Sequence, residues 1–350
     1  MKICFFRLSA LGDCVLATPA VNAILATFPE CEFTWVTTKP VAEMLAGMPN
    51  VRFLIIDKPR TFKDYLTLRN TFKRIHFDIL LAAQASLRTN LIYPLIKAKR
   101  KIGFDTVRAK DLHQYFVSES IEFKEEHLAD GFMQFAYYVG AQNNQFNWYI
   151  NSEKGISQSI VASYKPSIVI NIAASKKERT WPAKHYVQLI QRLIDQVDCY
   201  LILVGGSSAL DRLQEKEILS HVHAKTLLNL IGKTSISELV ALLRVSEVLI
   251  SPDSGPIHMA TALNIPVVGL FAVARPELSG PYAALEFTVN KYPEAVQCYL
   301  GKSPHQVKWH ERVHDERAMQ LISVEEVYDA ALKALDSNKR SSNLFRNKGK

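Results

Sequence analysis

The sequence predicts an α/β protein: parallel sheets covered by helices on both faces, arranged as two successive units of one kind. Three observations carry this. Short apolar runs bounded by turn residues alternate with helical patterns through both halves of the chain. At 350 residues the chain is long for a single core, and about two domains is the natural division. Between the two series, Gly140 to Ser163 is polar and broken, which places the boundary there.

In order, Lys2–Leu8 reads as a strand, Ser9-Ala10-Leu11-Gly12-Asp13 as a turn, and the following residues as a helix through Pro19 and Ala20 to Thr27. Phe33–Val36 is a strand and Val41–Ala46 a helix; Val51–Ile56 is a strand and Phe62–Ile75 a helix; Ile79–Ala82 is a strand and Leu87–Ile96 a helix. His113–Glu126 is less regular, and His127–Val139 is a helix. The second series has strand Ile168–Ile172, helix Lys184–Gln196, strand Cys199–Val204 and helices Ala209–Leu219 and Ile236–Leu243. It continues with an apolar strand and turn from Val248 to His258, a strand at Val267–Phe271 and an amphipathic helix at Val324–Leu335. Residues 298–320 show no clear period. The domains are therefore set at 1–150 and 165–335, and the Ser/Asn/Lys/Arg-rich tail 336–350 is expected to be disordered.

Composition excludes several classes. A hydrophobic fraction of 48% with mean hydropathy near zero is that of a soluble globular chain, and no run of about 18 uncharged apolar residues offers a membrane span. Met1 to Leu8 lacks the apolar core and cleavage site of a signal peptide, so a cytoplasmic location is expected. Five scattered cysteines without a C-x-x-C pair suggest neither a disulfide framework nor a zinc site. The net charge of +8 is uneven: Arg52–Lys110 holds fourteen Lys/Arg against four Asp. Such a cluster draws nucleic acid, an acidic membrane face or a phosphorylated substrate; a solvated basic face is the competing reading.

The chain has no G-x-G-x-x-G after a strand and no G-x-x-x-x-G-K-[ST], which sets aside dinucleotide dehydrogenases and P-loop enzymes. Without a D-x-D triplet, metal-free charge neutralisation is expected. Val248-Leu-Ile-Ser-Pro-Asp-Ser-Gly-Pro-Ile-His258 is strand, tight turn and helix start. Asp253 and Ser254 are cap types, Gly255 allows close backbone approach, and Pro256 suits a first helical turn. Such a terminus attracts phosphate. The competing reading makes Asp253 and Ser254 plain caps and His258 a buried core residue. Ala174-Ser-Lys-Lys-Glu-Arg-Thr-Trp-Pro182 and Gly205-Gly206 also follow strands, bringing cations, hydroxyls and backbone donors to one sheet edge. In the first half, Asp13 stands at the first β–α turn, either as an N-cap or as a carboxylate able to take a proton from an attacking hydroxyl.

Together, Arg7-Leu-Ser-Ala-Leu-Gly-Asp13 with Thr18-Pro-Ala20, Lys101-Ile-Gly-Phe104, Arg179-Thr-Trp-Pro182 and Ser251-Pro-Asp-Ser-Gly-Pro-Ile-His258 resemble the bacterial lipopolysaccharide heptosyltransferases of glycosyltransferase family 9. The resemblance runs to about Leu335 and implies a GT-B fold, two Rossmann-like domains facing across a cleft. It puts the acceptor on the first domain and ADP-heptose on the second, with no cofactor and no metal. By the same resemblance Asp13 is the general base of an inverting transfer. Ser175, Arg179, Asp253, Ser254, Gly255 and His258 hold the donor. Arg60, Lys99, Arg100 and Lys101, in the basic stretch, are the expected acceptor contacts.

There are departures. Where relatives of the first heptosyltransferase type carry two adjacent hydroxyl residues, this chain has Ala174-Ser175, and after Gly205-Gly206 the nearest acidic candidate is Asp211. Arg312-Val-His-Asp-Glu-Arg-Ala-Met319 is similar to the branch adding the first heptose to a Kdo residue, phosphorylated or not, of Kdo-lipid A. The implied location is peripheral, at the cytoplasmic face of the inner membrane, in contact with an anionic surface and with no nucleic acid. Alternatives are transfer to an inner-core heptose, another nucleotide-sugar transferase or epimerase, and, outside enzymes, a basic membrane-surface or nucleic-acid binding protein.

Overall fold

The computed structural model describes residues 1–142, 144–151 and 166–347. The chain divides into two compact units, Met1–Asn151 and Ser152–Lys350. Most of the expected linker lies outside the described residues.

The first unit runs β1 (Lys2–Phe6), α1 (Leu11–Leu16), α2 (Thr18–Thr27), β2 (Glu32–Thr37), α3 (Lys39–Met44), β3 (Val51–Ile55), α4 (Phe62–Phe72), β4 (His76–Leu81), α5 (Leu87–Asn90), β5 (Lys97–Gly103), β6 (Glu119–Ser120) and α6 (Leu128–Tyr138). The second runs β7 (Ser167–Asn171), α7 (Ala183–Gln196), β8 (Tyr200–Val204), α8 (Ala209–His221), β9 (Leu227–Asn229), α9 (Ile236–Arg244), β10 (Val248–Pro252), α10 (Gly255–Ala262), β11 (Val267–Phe271), α11 (Pro276–Ser279), β12 (Val289–Asn290), α12 (Tyr292–Leu300) and α13 (Val324–Asn347).

Both sheets are parallel, in the orders β3-β2-β1-β4-β5-β6 and β12-β11-β10-β7-β8-β9. Counted within its own unit, each order is 3-2-1-4-5-6, so each sheet reverses between its first and fourth strands. Ile3 stands beside Ile79 at one reversal and Ile168 beside Val248 at the other. Ligands of open α/β sheets bind outside the carboxyl ends of the strands at such reversals.

The central strands are buried on both faces, which is why they read as unbroken apolar runs. Ile3 to Phe6 and Val248 to Ile250 are fully buried. Trp35 packs edge-on to Phe5 at 4.9 Å and donates its indole N–H to the Arg7 carbonyl at 3.2 Å. The amphipathic helix α7 buries Tyr186, Leu189, Ile190 and Leu193, a stripe at i, i+3, i+4, i+7. The expected first helix is two: Pro19, second residue of α2, lacks the N–H that would continue α1.

Other elements depart from the sequence reading. The basic run Lys97–Lys101 lies on strand β5, which pairs β6 only at Ile102 and Gly103. Its amino half is an exposed edge, and lysines there discourage pairing with another chain. β6, β9 and β12 are too short to show a period. α13 continues to Asn347, through most of the segment expected to be disordered; Leu335 is buried and Asn338 donates to the Glu247 carbonyl at 3.1 Å, so the packed helix carries the polar sequence onward. No described helix is long and apolar enough to cross a membrane. The cysteines are unbridged; burial pushes the Cys14 thiol up to about 12, which keeps it from acting as a nucleophile.

Candidate functional site

At the β1/β4 reversal, the apolar run of β1 ends in Arg7. Its guanidinium lies over the Phe132 ring at 4.7 Å, donates to the Ala83 carbonyl beyond β4, and donates to the Asp13 carboxylate at 2.5 Å. Asp13 is not the N-cap. Ala10 holds that position after a cis Ser9–Ala10 peptide, and Asp13, third residue of α1, reaches back to accept from the Ala10 N–H at 3.2 Å. The Asp13 side chain keeps 28% exposure, so a carboxylate anchored on one side still meets solvent. Gln84 fixes the loop after β4: it accepts from Leu8 N–H at 2.8 Å and donates to Ser9 Oγ at 3.3 Å.

Ser9 also lines a cavity of about 530 Å³ at the carboxyl edge, with Lys58, Arg60, Arg88 and one acidic residue, Asp111, on its walls. Burial, and then the Arg88 charge, lower the Lys58 ammonium pKa, as expected for cations crowded without an anion. Asp111 is engaged, accepting from Leu87 N–H at 2.9 Å. Three cations thus face a space that a polyanionic sugar or phosphate would fill.

The structure brings Arg60 to this cavity but not Lys99, Arg100 or Lys101. Lys99 pairs with Asp78 at 2.7 Å, Arg100 forks onto Glu119 with a shortest contact of 2.6 Å, and Lys101 donates to the Tyr93 carbonyl at 2.7 Å. All three bonds are made within the first unit, around β5. The neighbouring Gly103-Phe104 pair is structural too. A Cβ on Gly103 would meet His113 Nε2 at 2.4 Å, and that nitrogen accepts the Phe104 N–H at 3.1 Å while Nδ1 meets Asn90 Oδ1 at 2.8 Å.

At the β7/β10 reversal, Asn171 ends β7 and donates to the Ala173 carbonyl, Ser251 Oγ at 3.1 Å and Ser254 Oγ at 2.9 Å. Ser254 sits at the N-cap of α10, yet its hydroxyl does not cap; it turns to Asn171, Ser251 and the Pro252 carbonyl. The first turn of α10, with Gly255 and Pro256 half-buried, therefore begins without a side-chain cap from Ser254. Beside it, Arg179 donates to Asp253 at 2.9 Å and to Ser175 Oγ at 2.5 Å, its side chain only 13% exposed. His258 is buried on the same turn. Ser175, Arg179, Asp253, Ser254, Gly255 and His258 are thus gathered at one reversal.

Asp211 is not among them. It caps α8, accepting from the N–H groups of Gly206 at 2.9 Å and Ser208 at 3.1 Å. A Cβ on Gly205 or Gly206 would press on that carboxylate at 3.0 or 3.1 Å, which accounts for the double glycine. Arg312–Met319 braces the turn before Arg179: Val313 N–H bonds the Val273 carbonyl at 2.9 Å and His314 meets Glu178 at 3.0 Å. Sequence reasoning passed over Asn171, Gln84 and the pairing role of Arg7; a charged residue closing a buried apolar run was the signal for the last. Among the described residues no three His, Cys, Asp or Glu side chains are grouped to hold a metal ion.

Residues 65–306 match glycosyltransferase family 9 (heptosyltransferase). The lipopolysaccharide core heptosyltransferase OpsX of Haemophilus influenzae is 31% identical over 333 residues, 93% of this chain and 94% of that protein. Among solved structures, a family 9 glycosyltransferase from Veillonella parvula superposes with a TM-score of 0.77 at 20% identity, covering 96% of this chain and 97% of that one. The Escherichia coli ADP-heptose lipopolysaccharide heptosyltransferase II gives 0.72 at 19% identity, covering 97% and 100%. Two parallel Rossmann-ordered sheets with these neighbours make the fold GT-B. The chain belongs to glycosyltransferase family 9, the heptosyltransferases.

Proposed function

We propose that the protein transfers heptose from ADP-heptose to a Kdo residue, phosphorylated or not, of the lipopolysaccharide inner core, with inversion at the anomeric carbon and without a metal. The observation that carries this reading is the pairing of chemistries at the two sheet reversals: an anchored, partly exposed carboxylate beside a cationic cavity in the first unit, and an uncapped helix start beside Arg179 in the second. The core substrate follows the kind of protein that OpsX is named as.

In this reading the diphosphate lies on the first turn of α10. Its N–H groups and the Arg179 guanidinium meet the charge that grows on the departing ADP. Ser175 holds that guanidinium in place, and Asp253 divides its contacts between Arg179 and the sugar. Lys58, Arg60 and Arg88 hold the acidic acceptor, and Asp13 takes the proton of the attacking hydroxyl while Arg7 fixes its orientation. An acceptor carried on a lipid places the enzyme at the cytoplasmic face of the inner membrane.

The test is a panel of nucleotide sugars with truncated Kdo-containing and heptose-containing acceptors, reading ADP release and product anomer. Acceptor-dependent ADP release from ADP-heptose, strongest with the Kdo acceptor and unaffected by chelator, is the expected result. Release only with a heptose-terminated acceptor would move the assignment to the second transfer, and chelator sensitivity would reject the metal-free step.

A further inference from the structure

The basic stretch of the first unit separates into cations already paired and cations left open. Arg69, Lys73 and Lys97 line a second groove of about 590 Å³, together with Leu66, Asn70, Pro94 and Leu95, and no acidic side chain among the described residues lines it. These three make no salt bridge among the described residues, unlike Lys99 and Arg100 two and three positions along the strand.

The groove follows one face of α4. Phe62, Leu66, Arg69 and Lys73 recur at i, i+4, i+7 and i+11, so they share a stripe. Leu68 and Phe72 are buried on the adjoining face, about 110° round the helix. The stripe is apolar at its first half: Phe62 is 77% and Leu66 45% exposed, unusual for large apolar side chains. Along eleven residues it extends about 16 Å. Phe62 lies two residues after Arg60 of the acceptor cavity, and a further exposed leucine, Leu91, lines that cavity. Apolar side chains flanked by unpaired cations fit a surface that is anionic at its headgroups and apolar just beneath them.

We propose that this face of α4, with Lys97, is a docking surface for an anionic phospholipid bilayer: Arg69, Lys73 and Lys97 meet headgroup phosphates, and Phe62 and Leu66 enter the interface. It deepens, and rests on, the reading of the acceptor as a membrane lipid, because it sets the mouth of the acceptor cavity at the bilayer surface where such an acceptor emerges.

The test is co-sedimentation of the full chain with phosphatidylglycerol/phosphatidylcholine vesicles and with pure phosphatidylcholine vesicles, in parallel with turnover on a delipidated, water-soluble acceptor. Each basic residue near an anionic membrane is worth about fivefold in affinity, so Arg69→Gln with Lys73→Gln should weaken binding to the anionic vesicles about 25-fold. Phe62→Ser should weaken it as well. All these positions are solvent-exposed, so the variants should fold, as circular dichroism will show, and their turnover on the soluble acceptor should match wild type. Unchanged vesicle binding in the charge pair overturns the proposal. Loss in the charge pair with none in Phe62→Ser, or equal competition by free glycerol phosphate, assigns the groove to a soluble polyanion and overturns it too. Vesicle binding that depends on these residues, in a chain inactive on every acceptor, would uphold the docking surface while rejecting the transferase reading.

Discussion

Replacing Arg179 by Ala tests the second reversal at two levels. The guanidinium is held by Asp253 at 2.9 Å and Ser175 at 2.5 Å, with side-chain exposures of 13% for Arg179 and 10% for Asp253. Removing it strands a carboxylate in a nearly closed site. Breaking a buried pair in this way costs about 3 to 5 kcal/mol, and the small residual exposure favours the lower end. At about 2.1 cal/mol/K per residue, a unit of roughly 200 residues has an unfolding entropy of about 0.4 kcal/mol/K, so 3 kcal/mol lowers its midpoint by about 7 °C. Removing Asp253 as well should restore most of that loss, since the penalty comes from the orphaned charge. Nucleotide binding should behave differently. Charge-assisted hydrogen bonds to a diphosphate contribute about 1.5 to 3 kcal/mol, or about 10- to 150-fold in Kd, and both variants should lose them. Thermal melts by circular dichroism and calorimetric titration with ADP separate the two effects. A folded Arg179→Ala protein with wild-type ADP affinity would remove the diphosphate from this turn, and a stability change under about 1 kcal/mol would show the pair to be water-screened.

Two further outcomes follow from the first unit. Arg60→Ala and Arg88→Ala should raise the acceptor KM about tenfold or more with little change in ADP affinity, whereas Arg100→Ala, which breaks its pair with Glu119 and its stacking over Tyr138, should leave KM in place; steady-state kinetics decide, and the reverse pattern would move the acceptor to the β5 edge. His113 is held near a pKa of about 4 by burial, below its ordinary 6.5, so the unfolded chain binds the proton more readily between those values. Stability should be intact above about pH 6.5 and fall on acidification, by on the order of 2 kcal/mol at pH 5. In a His113→Gln variant, less stable at neutral pH, that part of the acid slope should vanish; parallel pH–stability curves would contradict it.

The two sheets were legible because their central strands are buried on both faces and read as apolar runs, and because α7 carries a single stripe. The turn at Ser251–His258 was legible because its residues satisfy strand, turn and helix start at once. β5 was hidden by its own edge: Lys97, Lys99 and Arg100 are exposed, and Lys99 and Arg100 are partnered across the strand by Asp78 and Glu119, contacts that no local pattern reveals. The caps misled in a related way. Ser254 looks like a capping hydroxyl but is drawn off by Asn171 and Ser251, and Asp211 looks available but is taken by Gly206 and Ser208. In each case a long-range hydrogen bond, or a neighbour a turn away, decides a role that residue type leaves open.

The central claim, that Asp13 takes the proton of the attacking hydroxyl, is tested most directly by single-turnover rapid quench of Asp13→Asn with ADP-heptose and Kdo-lipid A. Asn retains an oxygen to accept from Arg7 and the Ala10 N–H, so the fold and ADP binding should survive. Loss of a general base typically costs about 100- to 10,000-fold in rate, and a fall of that size in the chemical step is the expected result. A folded variant that transfers heptose at close to the wild-type single-turnover rate would reduce Asp13 to a structural partner of Arg7 and the Ala10 N–H and contradict the account.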